Sequence, residues 1–177
     1  MLRGSSCVEK ADFWAMPRAR GRHLLIDSRR NLLDLVLQVN QSSGLTLFHA
    51  VEAGVPARLI EVFADATRMP VSTVMRLVGI SRTAFLRRRE ACEPLPDVAG
   101  HRAMSLLRIA ATLHRLLDEC GDPQQSATFD EFAWLAKWIQ QSLAELEGQT
   151  PGDMLRNPEG LRVVESLLER TRGGLAA

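Results

Sequence analysis

The sequence predicts an all-α protein, with a helix-turn-helix in its N-terminal half packed against a C-terminal helical half. Three observations lead there. Apolar residues recur at helical spacing in one segment after another. Glycine, proline and small polar residues fall between those segments, where helices stop and start. Finally, Pro70–Arg89, PVSTVMRLVGISRTAFLRRR, has the layout of two short helices joined by a tight turn.

Taken in order, residues 1–30 show no clear period. Pro17, Gly21 and arginines 18, 20, 22, 29 and 30 read as a mobile arm that could touch DNA phosphate or simply fray. Phe13 and Trp14 could anchor part of it. Asp27–Gln41 is expected to be helical, with Leu32, Leu33, Leu35, Val36 and Val39 near one face. Leu45–Ala53 is a second amphipathic helix, with Leu47, Phe48 and Val51 directed inward and Gly54 stopping it. Within it, His49 among apolar neighbours reads as a packed side chain rather than a ligand. Pro56 suits the first turn of the next helix, Ala57–Thr67, whose apolar side is Leu59, Ile60, Val62 and Phe63.

Within Pro70–Arg89, Val74 and Val78 stand one turn apart with Leu77 beside them. Gly79 breaks the helix where a left-handed residue is useful. Ile80 can plug the angle, Ser81 can cap a second helix over Arg82–Arg89, and Phe85 must touch the first helix. The second helix of such a motif lies in the DNA major groove. Its exposed positions here are Arg82, Thr83, Arg87 and Arg88, with Arg89 at its end. Arginine can fork onto guanine or grip phosphate, and threonine can reach either a base or a phosphate. Helix pairs with a glycine turn also occur in proteins that never meet DNA, and arginines in a last turn complement the helix dipole, so both readings stay open. Met75 stands where such motifs often carry alanine, which points to a looser crossing.

Cys92–Pro96 is a connection, followed by a long helix over Asp97–Cys120 that is apolar on a wide arc and so expected between two neighbours. Gly121-Asp122-Pro123 ends it. A helix over Phe129–Leu146 carries Trp134 and Trp138. Thr150 is expected as the cap of a short helix, Pro151–Leu155, with Pro151 at its first position, and Asn157-Pro158 as its end. Glu159–Arg172 is the last helix, with Leu161, Val164, Leu167 and Leu168 inward. The organisation expected is an arm (1–30), a helical region with the helix-turn-helix (31–96), and a long helix leading into a C-terminal region (97–177).

Composition narrows the function classes. The 177 residues are 46% hydrophobic, enough for a real core, yet no apolar run approaches a membrane span. The N-terminus does not read as a signal peptide. Cys7, Cys92 and Cys120 are odd in number and widely spaced, which suits reduced thiols in a cytoplasm. The four histidines are scattered, no cysteine pair has metal-ligand spacing, and no glycine loop is shaped for phosphate. No catalytic residues, metal site or cofactor are therefore expected. The net charge of +1 is unevenly spread. Residues 1–30 and 70–92 each sum to +4, whereas residues 118–165 sum to −7, suggesting two different partners.

The order of motifs from about Leu47 onward resembles the Xre/MbcA/ParS-type antitoxins of bacterial type II toxin–antitoxin pairs. The more specific part is WIQQSLAELEGQTPGDMLRNPEGLRVVESLLERTRGG. Its family-like positions are Trp138-Ile139, Leu146 with Gly148, Thr150-Pro151, Leu155, Gly160, Leu168, Arg170 and Gly174. It departs from the pattern at Ser142-Leu143, where the family carries proline and asparagine, and at Glu147, where it carries a second glycine. Thr171 replaces an aliphatic residue, and Ala99 and Gly100 replace charged or serine positions. The resemblance implies a dimer whose helix-turn-helix binds the operator of its own operon as a repressor. It also implies a C-terminal region that binds a cognate toxin of the RES type or a related NAD-using fold and covers its NAD pocket. The matching covering residues are Arg170, Arg172, Gly174 and Leu175. Two other readings remain: a solitary helix-turn-helix regulator without a toxin, and a helical adaptor that binds only protein.

Overall fold

The computed structural model describes residues 13–14, 24–120 and 129–171, with backbone alone for 24–27 and 120. Among these residues the chain forms nine α-helices and no strand, apart from an isolated bridge between Pro56 and Pro94. The helices are α1 (Leu24–Gln41), α2 (Gly44–Glu52), α3 (Leu59–Thr67), α4 (Val71–Val78) and α5 (Arg82–Glu90). After them come α6 (Asp97–Cys120), α7 (Glu131–Trp138), α8 (Pro151–Met154) and α9 (Pro158–Arg170). A single 3₁₀ turn, Ala144–Leu146, lies between α7 and α8. No helix among the described residues is long and apolar enough to cross a membrane.

Helix α6 is the axis of the molecule. Its 24 residues span roughly 36 Å at helical rise. It touches α1, α2, α4, α7 and α9, and this follows from its sequence. Leu106, Leu107, Ile109, Leu113 and Leu116 are buried, and Ala99, Gly100, Ala103, Ala110 and Ala111 are small enough to let neighbours approach closely. Gly100, for example, lies beneath Val55, so that an added Cβ would sit 3.4 Å from its Cγ2. On one side α1 and α3 pack together through Leu32, Leu35, Val36, Ile60 and Phe63, all buried. On the other, α9 supplies Leu161, Val164, Leu167 and Leu168, the face expected from its spacing. Asn40 donates from its amide to the Ala111 carbonyl at 2.9 Å, tying the end of α1 to the middle of α6.

Four expectations are corrected. The arm expected over residues 1–30 lies largely outside the described residues, but α1 already takes Leu24 onward. Arg29, read as an arm arginine, is fixed on Asp130. Phe13 is buried, and the Trp14 indole donates to the Ala50 carbonyl at 2.9 Å.

The inward face expected of α2 is the second correction. Only Ala50 of α2 is buried, and Phe48 is 57% exposed, because this short helix lies at the edge of the body. His49 is exposed too, edge-on to the Phe48 ring at 5.4 Å. The third is the helix expected over Phe129–Leu146, which stops at Trp138. The Ile139 carbonyl accepts from the Gly152 N–H at 2.9 Å, so it is taken by α8 instead of by the next helical turn. The chain then reverses through Glu147 and Gly148, both at positive φ. The fourth concerns Asn157-Pro158, which begins α9: the Asn157 side chain caps it and Pro158 takes its first turn.

Candidate functional site

The helix-turn-helix forms by the local rules its sequence suggests. Gly79 ends α4 in the left-handed conformation (φ 73°, ψ 38°), and the Ile80 N–H reaches back to the Met75 carbonyl at 3.0 Å. Ile80 is buried in the angle. The Ser81 hydroxyl accepts from the Ala84 N–H at 3.2 Å and starts α5. Phe85 is 3% exposed and joins α5 to the core. Met75 is buried too, so its flexible chain fills the crossing where alanine would leave space.

The five DNA-facing candidates separate into two groups. Arg82, Thr83 and Arg87 are exposed, with Thr83 and Arg87 one turn apart. Arg88 and Arg89 are held by the protein. The Arg88 guanidinium donates to the Pro94 carbonyl at 2.6 Å and lies 3.7 Å from Glu93, holding the connection into α6. Arg89 pairs with Glu61 of α3 at 2.9 Å. The open face of α5 is therefore two arginines and a threonine, and Arg88 and Arg89 steady the helix that presents them. Arg76, not singled out from the sequence, is also exposed, on the last turn of α4.

The C-terminal region is built around two close approaches. Gly152 sits where an added Cβ would be 2.5 Å from Leu77 of α4 and 2.9 Å from the Ile139 carbonyl oxygen. Gly160 sits still closer, with the Met154 carbonyl oxygen 1.8 Å from where a Cβ would stand. Side chains at either position would push α8 off its neighbours, so the two glycines set how α8 and α9 cross. The Thr150 hydroxyl accepts from the Asp153 N–H at 3.1 Å and donates to the Asp153 carboxylate at 2.8 Å. That contact, followed by Arg156, holds the Asp153 carboxyl below the usual range. Trp134 and Trp138 stack at 5.5 Å, with Trp138 buried.

Ion pairs join this region to the rest. Asp130, the cap of α7, takes both nitrogens of Arg29 at 2.8 and 2.9 Å, with Arg68 at 3.4 Å. Chiefly through the Arg29 contact, its carboxyl is lowered to about 2. His114 of α6 sits 2.9 Å from Glu131, which raises the imidazole above its ordinary value. Arg108 pairs with Glu165 at 2.7 Å, and Arg115 bonds both Glu119 and Glu169, so α9 is laced to α6. No spacing rule joins these partners, which stand far apart in the chain, and sequence reasoning did not find them. Of the candidate covering residues, Arg170 is exposed on the last turn of α9, whereas Arg172, Gly174 and Leu175 lie outside the described residues. Among the described residues no cluster of histidine, cysteine or carboxylates could hold a metal ion.

An all-helical body that presents an arginine-bearing helix at one place and a glycine-packed helical region at another defines a binding protein with two faces. Residues 126–174 match the family described as the antitoxin Xre/MbcA/ParS C-terminal toxin-binding domain. The match supports an antitoxin that neutralises a toxin partner, a regulator rather than a catalyst. It takes in α7 to α9 and leaves the helix-turn-helix outside. A comparison with curated proteins finds no match.

Proposed function

We propose that this protein neutralises an NAD-using toxin of the RES type or a related fold by covering its active site with the end of its chain. In the same reading, a dimer of the protein represses the operon encoding both through α5. The observation that carries the proposal is the match of residues 126–174 to a toxin-binding domain. That match continues past the exposed Arg170 into the glycine-ended tip, Arg172–Gly173–Gly174. Arginines on a tip without side-chain bulk suit a cleft shaped for a phosphate-bearing cofactor, since arginine can pair with carboxylates or carbonyls lining it. The DNA half of the proposal rests on Arg82, Thr83 and Arg87 standing open on a capped helix.

The test is co-expression with the co-transcribed neighbouring gene. That gene alone should arrest growth and deplete NAD, and the full chain should restore both. A chain ending at Arg170 should fold and fail to restore them. If the neighbour alone leaves growth and NAD intact, the neutralisation reading falls. A protein that still binds its upstream DNA would then be a solitary regulator.

A further inference from the structure

One face of the molecule holds three of its most exposed large apolar side chains. Leu45 and Phe48 of α2 are 66% and 57% exposed, and Val98 at the start of α6 is 61% exposed. Phe48 and Val98 line a groove of about 610 Å³ between α2, α6 and the junction of α8 with α9. Leu47, Met104 and Leu161 add to its apolar lining. Apolar side chains gathered around a groove mark an interaction surface, unlike apolar residues scattered singly.

The charges in the groove say what fits it. Arg108 and Arg156 belong to its lining but already pair with Glu165 and Asp153. Arg102 does not. Its side chain lies against Gly79 and lines the groove, and its Nε is buried with no hydrogen-bond partner among the described residues. A guanidinium nitrogen shut away from water without a partner is unfavourable, and a carboxylate arriving from outside would relieve it. The same face supplies that carboxylate. Leu45, Phe48 and Glu52 follow one another along one face of α2, and Glu52 is exposed with no ion-pair partner among the described residues. Helix α2 thus presents an apolar ridge ending in a negative charge, beside a groove with an unanswered positive one. A surface carrying both the ridge and its complement is what a two-fold interface needs.

We propose that two copies of this chain meet here, with α2 of each lying in the groove of the other and Glu52 of one facing Arg102 of the other. The proposal rests on the dimeric reading above and names its surface. It also ties assembly to the reading helix, because Arg102 packs on the turn that sets α5. A two-fold dimer presents two such helices to successive half-sites.

The experiment is light scattering on the purified full chain, with circular dichroism to establish that each variant is folded. The wild type should be a dimer. Phe48→Asp, Val98→Asp and Glu52→Arg, all at exposed positions, should weaken self-association by at least ~tenfold while leaving helix content unchanged. Glu52→Arg combined with Arg102→Glu should restore the dimer. If Arg102→Glu unfolds through its contact with Gly79, the three exposed substitutions still decide the matter. A monomeric wild type overturns both the dimeric reading and this surface. A dimer untouched by the exposed substitutions overturns the surface alone. A monomer whose Phe48→Asp variant no longer captures the toxin assigns the groove to the toxin and overturns the proposal.

Discussion

Helix α5 leaves Arg82 and Arg87 open to solvent, whereas the face between α6 and α9 closes Arg108 onto Glu165 and Arg115 onto Glu119 and Glu169. The same residue type serves recognition in one region and assembly in the other. The difference lies in what stands opposite. The open side of α5 has no element of the chain across from it, while α9 runs beside α6 with carboxylates at matching heights. Even within α5 the contrast holds, since Arg88 and Arg89 point back to Pro94 and Glu61. Charge along a sequence therefore says little about a charge's role until its neighbours are known.

The two regions differ in function but share a core, and the largest test asks whether they also share stability. Phe85→Ala removes a ring that is 3% exposed and should cost about 3–5 kcal/mol. Because Leu77 of α4 lies against Gly152, the loss should spread to the C-terminal region. Urea unfolding followed by circular dichroism and by tryptophan fluorescence, with Trp134 and Trp138 reporting on that region, should give one coincident transition. Two separate transitions would make the regions independent units.

Next in size is the division among the arginines. Arg82→Ala should cost about 1–3 kcal/mol on the preferred operator and relax sequence preference. Arg87→Ala should weaken binding on all sequences and reduce the salt slope by about 1. Arg88→Ala and Arg89→Ala should leave that slope unchanged, and Arg88→Ala should lower the unfolding midpoint by freeing the connection at Pro94. Gel shifts on the upstream DNA at several salt concentrations check the first three statements. Equal salt effects for all four variants would erase the contrast.

A smaller effect concerns the ionic clasp on α7. Asp130 titrates near 2 when folded, against an ordinary 3.8, so its contribution is present above pH 3.8 and lost as pH falls toward 2. Because Arg29 and Arg68 are partly exposed, solvent screening leaves this at about 1 kcal/mol. His114 runs the other way. Its raised value means a contribution present below pH 6.5 and lost as pH rises past its folded value. Urea midpoints against pH should lose the acid limb in Asp130→Asn and the neutral limb in Glu131→Gln. A clasp that matters only to the C-terminal region would leave operator binding unchanged in both.

Smallest are the caps. Thr150→Ala and Asn157→Ala should each cost about 1 kcal/mol and loosen α8 or α9. Toxin capture should fall more than operator binding does, as measured side by side on the same preparations.

Most helices were legible because their signals are local. Ser81, Thr150 and Asn157 each offer an oxygen to an N–H three residues on. Gly79 can turn left-handed without a Cβ clash, and Leu161, Val164, Leu167 and Leu168 recur at helical spacing. The stretch after Trp138 was not legible. Gln140 to Glu147 are acceptable helix formers, and what stops them is a carbonyl at Ile139 claimed by Gly152 from farther along the chain. The candidate site was legible to the same degree: the exposure of Arg82, Thr83 and Arg87 follows from helical phase, but the capture of Arg88 and Arg89 does not.

By itself, then, the sequence determined the all-helical class, the caps, the helix-turn-helix and the apolar faces, because each depends on residues within a turn or two of one another. Only the tertiary structure decided which charges are spent on the fold, that Phe48 faces outward, and that Gly152 and Gly160 must lack side chains. Those outcomes depend on which atoms from distant segments arrive within a few ångströms, and no periodicity in the chain encodes that.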